Sequence, residues 1–247
     1  NYRKQGNLCL ERGGEFVNEG YAALRKADEL NSEIELYTLG APAITGTLQK
    51  YEPSRGIYIG AYLGDSLQGA DAFSSYNTLT GKKHATFFGY VNDGSTIHGN
   101  FSGLDQAVAT GAAVHIAYLP MQGLSNVSES QIRAIAQELK ALQCPVFFRY
   151  AGEMNGDWVP WHGDPTTYIQ NWRTVTNIMR QEAPNVAMVW SPSEMPLNQI
   201  ESYYPGDDYV DWIGLSVYNK RYANGDINQP MDKRNSLEAV DYVYQRY

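Results

Sequence analysis

Residues Pro145-Val-Phe-Phe-Arg-Tyr-Ala-Gly-Glu-Met-Asn-Gly-Asp-Trp-Val-Pro-Trp161 change character at their midpoint. Val146 to Tyr150 is an apolar and aromatic run interrupted only by Arg149, the pattern of a parallel strand covered on both faces. From Gly152 the stretch turns polar, with Glu153, Asn155 and Asp157, and then brings two tryptophans, Trp158 and Trp161. A carboxylate at the exit of a buried strand can exchange a proton, and indole faces can take the apolar faces of pyranose rings. Arg149, Glu153, Asn155, Trp158 and Trp161 therefore read as sugar chemistry on a loop carried by a rigid scaffold. His162, next to Trp161, is expected to reach the same substrate.

A strand–helix rhythm extends outward from this stretch. Strands are predicted over Ile57–Leu63, Ala85–Val91, Ala112–Leu119, Pro145–Tyr150, Val186–Trp190 and Val210–Val217. Helices are predicted over Ala70–Leu79, Leu104–Thr110, Glu129–Leu142, from Pro165 onward, briefly at Asn198–Tyr204, and over Ser236–Tyr247. Ser128 and Gln131 form a capping-box pattern, and Ile132, Ile135, Ala136, Leu139 and Leu142 make one apolar stripe. Asp164 followed by Pro165 is an N-cap and first-turn pair.

Strict alternation implies a parallel sheet with helical crossovers. An open doubly wound sheet would usually bring a glycine-rich phosphate loop after its first strand, and Gly60-Ala-Tyr-Leu-Gly64 is not one. The strand ends instead carry Asp65, Asn92-Asp93, Pro120-Met121, Glu153, Trp190 and Tyr218, a polar and aromatic ring of the kind found at the top of a TIM barrel. The expected fold is thus α/β, of the (β/α)8 TIM-barrel type, with six βα units over residues 56–247. Residues 1–55, with a helix predicted over Glu15–Leu30, are expected to form an N-terminal extension. Six units do not close an eight-stranded barrel, so the chain is expected to stop before a seventh strand.

Composition narrows the partners. A net charge of −8 with no Lys or Arg run argues against nucleic acid. No apolar stretch is long enough to cross a membrane as a helix. The chain opens on Asn1 with no signal peptide, which reads as a processed, secreted or extracellular fragment. Cys9 and Cys144 suggest neither a disulfide framework nor a metal site, and His84, His98, His115 and His162 lack ligand spacing. No metal or cofactor is expected, and the protein is expected to be a monomer that takes a polysaccharide or oligosaccharide.

Arg149 to Trp161 resembles the acid/base motif of glycoside hydrolase family 26, which contains many β-mannanases. Tyr51-Glu-Pro-Ser-Arg-Gly-Ile-Tyr-Ile-Gly-Ala-Tyr62, Val189-Trp-Ser-Pro192 and the stretch from Tyr204 to Tyr218 are similar to that family's first, fifth and sixth strands. The resemblance implies an endo-acting, retaining hydrolase, with β-1,4-mannan as the first substrate. Mixed-linkage β-glucan, β-1,3-xylan or an exopolysaccharide are the alternatives within the family, and a carbohydrate-binding pseudoenzyme is the alternative without turnover. By the same resemblance Glu153 is the general acid/base, Tyr218 bonds the nucleophile, Arg149 positions carboxylates beneath the cleft, and Trp158, Trp161 and Trp190 stack on sugars. The nucleophile of the family ends the seventh strand, so no residue here takes that role by motif. The mannanases usually carry histidine before the acid/base glutamate, where this chain has Gly152.

A general acid must hold its proton, so the pKa of Glu153 is expected to be raised by burial and by a second carboxylate. Within the chain the best second carboxylate is Glu194. Lying between Pro192 and Pro196, it is expected to be a solvated loop residue. Asp65 and Asp93, at other strand ends, could bind sugar hydroxyls or cap helices.

Overall fold

A computed structural model describes residues 47–64, 69, 71–218, 228 and 236–247 of the chain. The predicted helix over Glu15–Leu30, Cys9 and Asp65 lie outside the described residues. The chain divides into two compact units, residues 1–58 and 59–247. Of the first, the described part contains a turn in which Glu52 N–H donates to the Gln49 carbonyl at 3.0 Å.

The second unit is a six-stranded sheet whose order follows the sequence, with every pair parallel. Its strands are β1 (Gly60–Ala61), β2 (Thr86–Asn92), β3 (Ala113–Leu119), β4 (Val146–Tyr150), β5 (Val186–Trp190) and β6 (Trp212–Ile213). The helices are α1 (Ala72–Thr80), α2 (Ile97–Asn100), α3 (Leu104–Ala109), α4 (Glu129–Ala141), α5 (Pro165–Glu182) and α6 (Ser236–Arg246). Six consecutive parallel strands with helices between them form a curled half-barrel, the TIM-type architecture that the strand ends imply.

Side-chain alternation sorts the strands into two faces. Val114, Ile116, Val146, Phe148 and Tyr150 are fully buried in the main core. Ile132, Ile135, Ala136 and Leu139 of α4 and Tyr168, Trp172, Val175 and Met179 of α5 belong to the same core, and the two helices pack on each other. Both helix starts are capped as their sequences imply. Ser128 and Gln131 exchange the two capping-box bonds, and Asp164 accepts from Thr167 N–H at 3.0 Å.

The alternate residues form the second face. Phe88, His115 and Phe147 align in one lateral row, and Tyr90, Ala117 and Arg149 in the next. The His115 ring lies 4.9 Å from Phe88 and 6.2 Å from Phe147, centroid to centroid.

Two predicted strands are shorter than expected. Only Gly60–Ala61 of Ile57–Leu63 and only Trp212–Ile213 of Val210–Val217 are regular. In the second case Pro192 has no N–H to give, which interrupts the ladder from β5. The segment nevertheless keeps beside β5 through Gly214 N–H to Trp190 O at 2.8 Å, Ser216 N–H to Pro192 O at 2.9 Å and Glu194 N–H to Ser216 O at 3.0 Å. The helix predicted at Asn198–Tyr204 is a pair of 3-10 turns, Leu197–Gln199 and Glu201–Tyr203. Cys144 carries a free, half-buried thiol. Among the described residues no helix is long and apolar enough to cross a membrane, and no cluster of metal-ligating side chains occurs.

Candidate active site

The chain leaves β4 in an unusual conformation. Ala151 and Glu153 both have positive φ, 45° and 60°, a region that residues with a Cβ enter at a cost. Neighbouring strands hold them there. Ala151 N–H donates to Tyr118 O of β3 at 2.9 Å, and Glu153 N–H donates to Ser191 O after β5 at 2.8 Å. The resulting turn aims the Glu153 carboxylate at the strand ends, with only 16 % of its side chain exposed.

Three side chains donate to that carboxylate. Trp158 Nε1 reaches Oε2 at 2.9 Å, while Arg149 Nη2 and Tyr218 OH reach Oε1 at 3.2 and 3.3 Å. Arg149 Nη2 also donates to Ser216 Oγ at 2.9 Å. Burial alone would push the Glu153 pKa up. The Trp158 hydrogen bond, the neighbouring Ser216 hydroxyl and the Arg149 charge outweigh it and hold the carboxyl below its ordinary range. The expectation of a raised pKa is therefore corrected: every neighbour here offers a proton or a positive charge, and all favour the ionised form. Burial and the Glu153 charge push the Tyr218 phenol the other way, upward.

Two glycines make this packing possible. A Cβ at Gly152 would lie 2.3 Å from Arg149 Nε, and one at Gly156 would lie 2.3 Å from the Trp158 ring. The indole thus lies across bare backbone, with its N–H on Glu153 and 56 % of the residue exposed.

The remaining expected site residues divide. Tyr218 is half exposed and reaches Glu153; Arg149 lies beneath it. Asn155 is fully buried and acts on the neighbouring loop: it accepts from Ser193 N–H at 2.8 Å and donates to Ser193 O and Pro196 O at 2.9 and 3.1 Å. It has no surface left for a substrate. Trp161 is 4 % exposed, its N–H spent on Gly152 O at 2.8 Å, and Trp190 is 0 % exposed between Tyr204 and Tyr247. Neither indole can stack on a sugar, which corrects the expectation that the resemblance implied. His162 pairs with Met154 O at 3.2 Å and lies against Tyr203. Asp93 is engaged by Gln122 N–H at 2.9 Å.

A cavity of about 450 Å³ opens beside Glu153, lined by Glu153, Trp158, Ser193, Glu194, Met195, Pro196 and Tyr218. Its volume suits a sugar ring with its substituents. Glu194 is only 5 % exposed, so the expected solvated loop glutamate is in fact a buried carboxylate on the cavity wall. Tyr90, in register with Ala117 and Arg149, is 41 % exposed, and its field contributes to the raised Tyr218 pKa. Tyr62 sits edge-to-face with Tyr90 at 5.4 Å and is 59 % exposed. Accessible aromatics thus extend from Trp158 through Tyr218 to Tyr90 and Tyr62. Ser216 and Tyr90 were not legible as site residues from motifs, although the Phe88-Gly-Tyr-Val91 alternation marks Tyr90 as facing away from the main core.

Comparisons with known proteins bear on the family and the fold. Residues 122–237 match the profile of Glycosyl hydrolase family 26. A beta-1,3-xylanase from an Alcaligenes species is 29 % identical over a 221-residue alignment that covers 80 % of this chain and 45 % of that protein. A mannan endo-1,4-beta-mannosidase from Caldalkalibacillus mannanilyticus is 30 % identical over 115 residues, 42 % of this chain and 21 % of the relative. A modular endo-beta-1,4-mannanase from Cellulomonas fimi superposes with a TM-score of 0.54 at 18 % identity, covering 68 % of this chain and 50 % of that one, a likeness of fold. The chain spans less than half the length of these curated relatives.

Proposed function

We propose, from the match of residues 122–237 to glycosyl hydrolase family 26, an endo-acting, retaining hydrolase of a β-linked polysaccharide, secreted and monomeric. Glu153 is its proton-transferring carboxylate, and the observation that carries this is the convergence of Trp158, Arg149 and Tyr218 on Glu153 at the wall of a sugar-sized cavity. Accessible aromatics beyond Glu153 on the Tyr90 side as well as at Trp158 support binding of a chain rather than of a chain end.

Glu153 must gain a proton before it can assist a leaving group. In a retaining mechanism a second carboxylate stands about 5–5.5 Å from the first. Its charge, together with the exclusion of water by substrate, would raise the pKa of Glu153 toward the value that acid catalysis needs. Trp158 offers its exposed face to a sugar while its N–H orients the carboxylate. Tyr218 and Arg149 hold the other oxygen.

Among substrates, β-1,3-xylan comes before β-1,4-mannan. The xylanase relative aligns over most of this chain and the mannosidase over less than half, and Gly152 stands where the mannanases usually have histidine. The test is release of reducing sugar from β-1,3-xylan, β-1,4-mannan and mixed-linkage β-glucan by the full-length protein and by its Glu153→Ala variant. Equal rates for the two would remove Glu153 from the mechanism. The lowered pKa of Glu153 favours one other reading, carbohydrate binding without turnover; measurable turnover by the full-length protein excludes it.

A further inference from the structure

The mechanism above leaves Glu194 without a role, although it is a nearly buried carboxylate on the wall of the cavity. Removing an ionisable group from water is costly unless its partners compensate. One partner is specific: the main-chain N–H of Tyr218 donates to Glu194 Oε1 at 3.0 Å. The Glu194 N–H donates in turn to Ser216 O at 3.0 Å. Glu194 therefore grips residues 216 and 218 from both its main chain and its side chain.

Those two residues supply Tyr218 OH, on Glu153, and Ser216 Oγ, on Arg149. The other end of the grip is fixed as well. Asn155, two residues after Glu153, holds both the N–H and the carbonyl of Ser193, which precedes Glu194. The contacts close a circuit from Glu153 through Asn155, Ser193, Glu194 and Tyr218 back to Glu153.

We propose that Glu194 is a positioning residue, whose carboxylate fixes the Tyr218 main chain and thereby keeps the phenol on Glu153. The inference rests on the reading of Glu153 as the proton-transferring carboxylate, and it gives a buried glutamate a function that neither the motif nor the fold assigns. The bond needs an acceptor oxygen at the length of a glutamate side chain and does not need the charge. Glutamine should therefore substitute for Glu194, whereas aspartate, one methylene shorter, should not.

The experiment follows Tyr218 directly and independently of turnover. The full-length protein is labelled with 3-fluorotyrosine, and the Tyr218 resonance is assigned by its loss in Tyr218→Phe. Its titration is then read in wild type, Glu194→Gln, Glu194→Asp and Glu194→Ala, with circular dichroism to verify folding. Wild type and Glu194→Gln should titrate together. Glu194→Asp and Glu194→Ala should titrate at lower pH than wild type, as the phenol leaves the negative carboxylate. If Glu194→Ala does not fold, the contrast between Gln and Asp decides. Titration of a folded Glu194→Asp with wild type overturns the proposal, and so does Glu194→Gln behaving like Glu194→Asp, which would make charge the cause. Absence of turnover in wild type would overturn the hydrolase reading and leave the titration readable.

Discussion

Arg149 fills the space that a side chain on residue 152 would need. A Cβ built on Gly152 lies 2.3 Å from Arg149 Nε, 2.7 Å from Nη2 and 2.9 Å from Cζ, all impossible contacts. The absence of a side chain beside Glu153 and the presence of a guanidinium under it are therefore one structural choice. A histidine at this position, as the mannanases usually have, would require Arg149 to lie elsewhere.

Gly152→Ala should displace Arg149 from Glu153. Overpacking of this kind costs about 1–3 kcal/mol, measurable by denaturant unfolding. The Glu153 pKa should rise as the Arg149 charge and bond are lost. In a pH–rate profile the limb assigned to Glu153 should move to higher pH; an unmoved limb would mean that Arg149 does not set it.

Trp158→Phe separates the two uses of Trp158. The exposed aromatic face is kept, while the 2.9 Å bond to Oε2 is lost. A hydrogen bond to a charged group is worth about 1.5–3 kcal/mol, so the Glu153 pKa should rise clearly while oligosaccharide affinity changes little. Isothermal titration with an oligosaccharide and the pH–rate profile read the two effects. Loss of affinity as large as in Trp158→Ala would show that the bond, and not the face, holds the sugar.

His115 lies in the second face of the sheet between Phe88 and Phe147, its Nε2 buried with no hydrogen-bond partner among the described residues. Burial, with the charge of Arg149, lowers its pKa to about 4 from 6.5. The folded state thus prefers the neutral ring. The stabilisation is full above pH 6.5 and is lost as pH falls toward 4, where the unfolded chain takes up the proton more readily. The loss should reach about 3 kcal/mol. His115→Phe should flatten the melting temperature between pH 6.5 and 4, and an unchanged slope would assign the pH dependence to other groups.

Much of the fold was legible because the strands announce themselves as apolar runs and the helices α4 and α5 carry stripes and caps. The Glu153 motif was legible for the same local reason: its polar and aromatic residues fall within a short stretch. What escaped depends on distance along the chain. Trp158 and Trp161 are three residues apart and equally aromatic, yet one lies open and the other is buried with its N–H on Gly152 O. Trp190 was misjudged because a strand end does not reveal which way its last side chain points. The lowered pKa of Glu153 depends on Ser216 and Trp158, one of them on another strand exit, and Glu194 is buried by contacts with residues 216 and 218. No local pattern encodes such meetings.

The left-handed backbone at Ala151 and Glu153 has a consequence for engineering. Each such residue stores about 1–3 kcal/mol of strain, and the bonds that hold it end on Tyr118 and Ser191. Neither acceptor belongs to the segment that carries the glutamate. A transplant of residues 149–161 onto another strand end would carry every side chain of the motif and lose its direction. The portable unit is three adjacent strand exits, those of β3, β4 and β5, moved together.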